Sequence, residues 1–116
     1  KPAERILIVD DEADILELAS RALLDEGYHV DTSSGGSEAL RLLNEVHYDL
    51  IICDIKMPGM SGIQLWDQLV EAHSDVIRRI AFMTGDVAGE QTSSYLRRTK
   101  APALSKPFEM EELRLR

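Results

Sequence analysis

The chain has 116 residues, of which 44% are hydrophobic and 29% charged, a composition typical of one folded domain. It carries 13 Lys and Arg residues against 21 Asp and Glu residues, and the formal net charge of -8 argues against direct binding to a nucleic-acid backbone. A single cysteine, Cys53, excludes an internal disulfide, and no apolar stretch approaches a membrane span. We therefore expect a soluble, cytoplasmic domain without membrane contacts of its own.

The first half of the chain alternates between predicted strands and helices. The aliphatic run at residues 6–9 predicts a strand that is buried on both faces. A helix that ends near Gly27 is predicted next, because apolar residues recur there at helical spacing. These residues are Ile15, Leu18, Ala19, Ala22 and Leu23. Residues 29–33 predict a weak second strand, and a second amphipathic helix begins after Ser34.

The second half repeats this alternation. Residues 50–53 predict a third strand, and Ser61 is predicted to cap the helix that follows it. The apolar face of that helix carries Leu65, Trp66, Leu69 and Val70. The remaining predicted elements are a strand at 76–83, a polar helix at 88–99, a short strand at 103–105 and a helix from residue 109 onward. Five such units predict a doubly wound α/β fold, with a parallel sheet between two layers of helices.

Polar side chains follow the predicted strands at the edge where the carboxyl ends of a parallel sheet meet. They belong to Asp10, Asp11, Asp54, Thr84 and Lys106. Carboxylates brought together repel one another, and a bound divalent cation with oxygen ligands, such as magnesium, relieves the repulsion. The arrangement suits phosphoryl transfer onto Asp54, with Lys106 and Thr84 contacting phosphoryl oxygens. Glu12 and Asp14 lie alongside and add negative charge.

Taken singly, these residues have plain structural interpretations. An Asp after a strand is often a helix cap, and a lone threonine or lysine is usually an ordinary surface residue. Cys53 precedes Asp54 and is predicted to point to the opposite face of the sheet, so we assign it no chemistry. The functional interpretation depends on the joint pattern of the strand ends.

Four motifs occur in order at the predicted strand ends: ILIVDDE, DIKMPGMSG, FMTGD and SKPF. In order and spacing they resemble the receiver domain of two-component response regulators, over nearly the whole chain. The resemblance implies a flavodoxin-like, five-stranded sheet of order 2-1-3-4-5 with five helices, the last of them truncated. It also implies that Asp54 accepts a phosphoryl group from a phosphohistidine, with magnesium as cofactor.

The resemblance further assigns the metal ligands. It implies that Asp11 and Asp54 bind magnesium directly and that Asp10 binds it mainly through water. The backbone carbonyl of Lys56 is implied as the further protein ligand. The same resemblance implies that Lys106 and Thr84 contact the phosphoryl group.

Several positions around the site are implied to modulate it. The family usually has a cis peptide before the proline that matches Pro107. Receivers commonly carry an aromatic ring three residues before the lysine, and here that position is Ala103, so the usual coupling of this ring to Thr84 is absent. We hypothesise that Lys56 and Asp86 pair across the site and slow hydrolysis. The alternative is that both side chains are solvated and that their interaction contributes almost nothing.

A histidine kinase or a histidine phosphotransfer domain is the partner that the resemblance implies. It would dock near Asp14, Ile15 and Leu18 and the loop around Pro107, although the spacing of Ile15 and Leu18 also fits core positions. The C-terminal part resembles receivers fused to sensor histidine kinases. We therefore expect residues 1–116 to be a single receiver domain from a longer protein, with a kinase or output domain linked to it.

Two other functions remain open at this point. A phosphatase of the haloacid type would need a second Asp two residues after the nucleophile, where this chain has Lys56. A degenerate receiver that serves only as an interaction platform is kept open by Ala103. In none of the favoured interpretations does the domain turn over a separate metabolite.

Overall fold

A computed structural model of the chain describes residues 4–72, 75–84 and 90–105. The strands in this part of the chain are β1 (Arg5–Val9), β2 (His29–Ser33), β3 (Leu50–Asp54), β4 (Ile80–Thr84) and β5 (Ala103–Ser105). The α-helices are α1 (Ala13–Asp25), α2 (Gly36–Glu45), α3 (Gly62–Ala72) and α4 (Glu90–Thr99). All strand pairs are parallel, in the spatial order β2-β1-β3-β4-β5. The predicted fold and strand order are confirmed, and the predicted last helix lies outside the described residues.

The sheet has a hydrophobic core on each face, because side chains alternate along the central strands. On one face, residues such as Leu7, Ile51 and Phe82 pack with buried residues of α2 and α3. On the other face, residues such as Ile8 and Ile52 pack with α1. Both layers hold β1 and β3 rigidly, so the residues at their carboxyl ends occupy fixed positions. No helix in the described ranges is long and apolar enough to cross a membrane.

The prediction of a strand over 76–83 is wrong in its first half. Val76–Arg79 is a short 3-10 helix, and β4 begins at Ile80. The register of the sheet explains this, since Ile80 lies opposite Ile51, close to the beginning of β3. The residues before Arg79 therefore have no part of β3 opposite them. Val76 is instead buried in the core that contains the buried residues of α2 and α3.

Two residues predicted on apolar helix faces are exposed. Leu18 of α1 is 55% exposed and Val70 of α3 is 43% exposed. Each lies at the margin of its apolar stripe, and Ala19 and Leu23 fill the centre of the α1 contact. Ile15 packs against the core as a half-buried residue, so the core interpretation holds for Ile15 and fails for Leu18.

Candidate functional site

Two buried carboxylates mark the carboxyl end of the sheet. Asp10 follows β1, and its N–H donates to the Ser33 carbonyl at 3.1 Å, which continues the pairing of β1 with β2. Asp54 is the last residue of β3. The exposed fractions of Asp10 and Asp54 are 0% and 4%. Their burial follows from the position of β1 and β3 at the centre of the sheet.

Four carboxylates converge at this edge. One oxygen from each lies within 4.8 Å of the others, in Asp10, Asp11, Glu12 and Asp54. Asp11 and Glu12 are exposed at the rim, and the Glu12 N–H donates to Asp10 Oδ1 at 2.8 Å. Asp14, the next acidic residue in the chain, is not a member of this carboxylate cluster. Glu12 and Asp14 were both predicted to lie alongside the three aspartates, which is confirmed for Glu12 and wrong for Asp14.

The chemistry of the cluster suits a hard divalent cation. All four side-chain donors are carboxylate oxygens, which magnesium and calcium prefer and softer metals do not. Like charges at this spacing repel, and a cation would offset that repulsion. Lys56 N–H donates to Asp54 Oδ1 at 3.4 Å, while the Lys56 side chain is exposed. The three carboxylates predicted to bind magnesium thus lie together and fit the ion, while the role of the Lys56 carbonyl stays a prediction.

The loop between β3 and α3 follows Asp54 directly and has a defined backbone conformation. Gly59 adopts a φ of +74°, a left-handed conformation that glycine accepts readily. Ser61 then caps α3, as predicted, in a reciprocal capping box with Gln64. The Gln64 N–H donates to Ser61 Oγ at 3.2 Å, and the Ser61 N–H donates to Gln64 Oε1 at 2.9 Å. This loop therefore leads the chain from the end of β3 into a capped α3.

Gly62 allows α3 to begin in contact with the end of β3. Its N–H donates to the Ile55 carbonyl at 2.9 Å. A Cβ atom at position 62 would lie 2.3 Å from the Asp54 carbonyl oxygen and 3.0 Å from Ile55 Cα. Only glycine fits without a backbone shift. The requirement for glycine at position 62 was not predicted, because the close approach is a property of the tertiary structure.

The structure describes only some of the other predicted site residues. Thr84 is buried at the end of β4, at the same edge as the carboxylates. Ala103 is half-buried at the start of β5, opposite Phe82 in the ladder. Asp86, Lys106 and Pro107 lie outside the described residues, so their roles stay predictions.

Cys53 lies next to Asp54 and faces away from the carboxylate cluster, as predicted. It belongs to the core that packs against α2 and α3, and its Sγ donates to the Asp54 carbonyl at 3.3 Å. Burial raises the pKa of the Cys53 thiol well above its usual value, and the negative charges of Asp54 and Asp10 raise it further. The thiol is therefore protonated at neutral pH.

Comparison with known sequences identifies the family of this chain. The model of the response regulator receiver domain matches residues 6–116. The response regulator receiver protein CpdR of Brucella abortus is 34% identical over 110 residues, which cover 95% of this chain and 90% of CpdR. The regulatory protein AtoC of Escherichia coli is 35% identical over 96% of this chain but only 24% of AtoC. The matched region is thus nearly all of one relative and a quarter of another.

Solved structures of similar proteins share the fold. The chemotaxis protein CheY4 of Vibrio cholerae has a TM-score of 0.83 and 31% identity, over 96% of this chain and 92% of that one. The response regulator protein TrrA of Thermotoga maritima, solved in complex with Mg²⁺-BeF, has a TM-score of 0.79 and 37% identity, over 96% and 93% of the two chains. This chain belongs to the response regulator receiver domain family.

Proposed function

We propose that this chain is the phosphoacceptor domain of a two-component phosphorelay and that Asp54 receives the phosphoryl group. One observation carries the proposal: the Asp54 carboxylate is nearly buried and has an oxygen within 4.8 Å of those of Asp10 and Asp11. Membership of the receiver family supports it. The Mg²⁺-BeF complex of the related TrrA supports magnesium as the cofactor.

In the proposed reaction, an Asp54 carboxylate oxygen attacks the phosphorus of a phosphohistidine. The P–N bond breaks, its electron pair returns to the imidazole, and an aspartyl phosphate forms. Water later attacks the phosphorus, the bond between phosphorus and the Asp54 oxygen breaks, and phosphate and the carboxylate are released. Alternatively, the phosphoryl group passes to another histidine.

The chain's own residues position these steps. Asp10, Asp11, Asp54 and the Lys56 carbonyl are the proposed ligands of magnesium, which offsets negative charge on the phosphoryl oxygens when it is bound. Thr84 and Lys106 are proposed to contact those oxygens. Pro107, Ala103 and Asp86 are proposed to modulate the site, the last of them through a pair with Lys56.

The proposal includes the phosphodonor and the cellular location of the domain. The phosphodonor is a histidine kinase or a histidine phosphotransfer domain, which docks over the site beside α1, where Leu18 is exposed. The domain catalyses its own modification and does not turn over a separate substrate. We place it in the cytoplasm as one receiver domain, residues 1–116, of a longer signalling protein.

The test is intact-mass spectrometry after incubation with phosphoramidate and magnesium chloride. We expect one phosphoryl adduct on the parent chain, and none after Asp54→Asn or with EDTA in excess over magnesium. Asp67→Asn is the matched control, since Asp67 is an exposed residue of α3 paired with Arg98, and it should keep the adduct. An adduct on the Asp54→Asn variant would assign the phosphoacceptor elsewhere.

A second candidate function rests on Ala103. If the domain is a degenerate receiver that acts as an interaction platform, no phosphodonor will modify the parent chain. The same mass measurement therefore separates the two functions.

A further inference from the structure

Glu12 belongs to the carboxylate cluster but has no role in the proposed phosphoryl transfer. It is the N-cap residue of α1, and its side chain makes no capping hydrogen bond. Its backbone is held at both ends, because its N–H donates to Asp10 Oδ1 at 2.8 Å and its carbonyl accepts from Leu16 N–H at 3.2 Å. The exposed Glu12 carboxylate thus stands at the rim of the site, within 4.8 Å of the Asp54 carboxylate.

We propose that Glu12 is a specificity-determining residue of this site. Its negative charge strengthens the binding of a divalent cation and slows the reaction with small phosphodonors that carry two negative charges. The inference rests on the proposed function and deepens it, because it assigns a selectivity for cation and donor to one residue outside the predicted ligand set.

The effect on the cation follows from Coulomb attraction. Magnesium keeps several waters and takes one or two carboxylates directly, so a fourth carboxylate acts through its charge and through bound water. At the separations within this cluster, one negative charge changes the affinity for a divalent cation about tenfold in a water-like dielectric. Salt reduces the effect, because the Debye length is about 10 Å at moderate ionic strength.

The effect on the phosphodonor has the opposite sign. Asp11 and Glu12 are exposed, and each has a carboxylate oxygen within 4.8 Å of one of Asp54, so their charges act on a donor that reaches Asp54. Acetyl phosphate is doubly negative at neutral pH, whereas phosphoramidate is singly negative, so the Glu12 charge repels acetyl phosphate more strongly. Loss of this charge should raise the rate with acetyl phosphate relative to the rate with phosphoramidate.

The experiment compares the parent chain with Glu12→Gln at low ionic strength. Isothermal titration calorimetry with magnesium chloride is expected to give a Kd raised about tenfold in the variant. Modification rates are then measured by intact mass at magnesium concentrations that saturate each protein. We expect the ratio of the acetyl phosphate rate to the phosphoramidate rate to rise about threefold.

Glu71→Gln is the matched control. Glu71 is an exposed residue near the carboxyl end of α3, far from the cluster, and its substitution removes the same charge. We expect both the Kd and the rate ratio to stay at the parental values. A Glu12→Lys variant should extend both effects of Glu12→Gln in the same directions.

The outcomes separate this inference from the proposed function. A parent chain that binds magnesium and gains the adduct, with a Glu12→Gln Kd within twofold of parental, overturns the role of Glu12 alone. Equal shifts in Glu12→Gln and Glu71→Gln also overturn it, since they would report net charge only. A change in the Kd without a change in the rate ratio, or the reverse, overturns the assignment of both effects to one charge. Failure of the parent chain to bind magnesium or to be modified overturns the proposed function itself.

Discussion

The two ends of the parallel sheet differ in how their charged side chains are arranged. Towards the amino end, Asp31 Oδ2, from the middle of β2, accepts from Tyr48 Oη at 2.6 Å and lies 3.3 Å from Arg5 Nη1. Asp49 Oδ2 accepts from the Arg5 N–H at 2.8 Å. At the carboxyl end, four carboxylates converge within 4.8 Å. Opposite charges paired within the chain stabilise the fold, whereas gathered like charges lower its stability until a cation binds.

The same contrast explains why the two ends respond differently to substitution. The amino-terminal network, defined as Arg5, Asp31, Tyr48 and Asp49, is built from partners that the fold supplies. The carboxylate cluster is held by β1, β3 and the loop before α3, which impose its geometry despite the repulsion. Five substitutions, grouped into four tests, probe this difference, and the expected effects decrease from the first test to the last.

Gly62→Ala should have the largest effect on stability, because it displaces the backbone that holds the carboxylate cluster. The new Cβ would lie 2.3 Å from the Asp54 carbonyl oxygen, so the backbone of β3 or α3 must move. We expect a loss of about 3 kcal/mol in the free energy of unfolding, measured by urea denaturation. The modification of Asp54 should slow as well, since the displaced backbone carries the acceptor.

The control for this substitution is Gly35→Ser. A Cβ at position 35 meets no atom within 4 Å, the backbone is extended there, and serine is a favoured N-cap. We expect a change of at most about 0.5 kcal/mol. Equal losses in the two variants would show that the close contact at Gly62 contributes nothing.

A pair of Asp→Asn substitutions should change stability in opposite directions at the two ends. Asp31→Asn removes the charge that Arg5 and Tyr48 contact, and we expect it to lower the free energy of unfolding by about 1 to 2 kcal/mol. Asp11→Asn relieves repulsion in the metal-free protein and should raise it by up to about 1 kcal/mol.

Urea denaturation with and without magnesium chloride checks this pair. Magnesium should stabilise the parent chain and Asp31→Asn, and it should stabilise Asp11→Asn less. Two destabilising substitutions in the absence of magnesium would contradict the comparison, because the cluster would then be a stabilising network like the other.

Tyr48→Phe tests the amino-terminal network through pH. Burial raises the pKa of Tyr48 above its ordinary value near 10, and the hydrogen bond to Asp31 and the Asp31 charge raise it further. The neutral phenol therefore contributes stability that is fully present below about pH 10 and is lost as pH rises through the higher pKa of the folded state.

We expect Tyr48→Phe to lower the free energy of unfolding by about 1 kcal/mol at neutral pH. The difference between the parent chain and the variant should shrink as pH rises above about 10, as followed by urea denaturation over a pH series. A difference that stays constant over this series would mean that Tyr48 titrates alike in the folded and unfolded states.

Arg5→Gln should have the smallest effect. The Arg5 and Asp31 side chains are 43% and 37% exposed, so the ion pair is screened by solvent. We expect a loss of about 0.5 kcal/mol that disappears at high salt, measured by thermal or urea denaturation at two ionic strengths. A larger, salt-independent loss would show that the guanidinium acts through packing.

The sequence predicted the architecture well because strong local patterns agree with it. Aliphatic runs located β1 and β3, and the helical spacing of residues such as Ala19 and Leu23 located α1. The helix cap at Ser61 also follows from local chemistry and was predicted. The motif pattern at the strand ends was sufficient to indicate the family. It also predicted that Asp10, Asp11 and Asp54 lie at one edge of the sheet.

Other features were decided by tertiary structure alone. The beginning of β4 at Ile80 depends on where its partner β3 begins, and a sequence window contains no such information. The exposure of Leu18 and Val70 depends on how far each apolar stripe reaches over the sheet. Glycine was required at position 62 because a backbone from another element passes there. Asp14 was predicted beside the carboxylates together with Glu12, and only the tertiary structure showed that Glu12 joins the cluster and Asp14 does not.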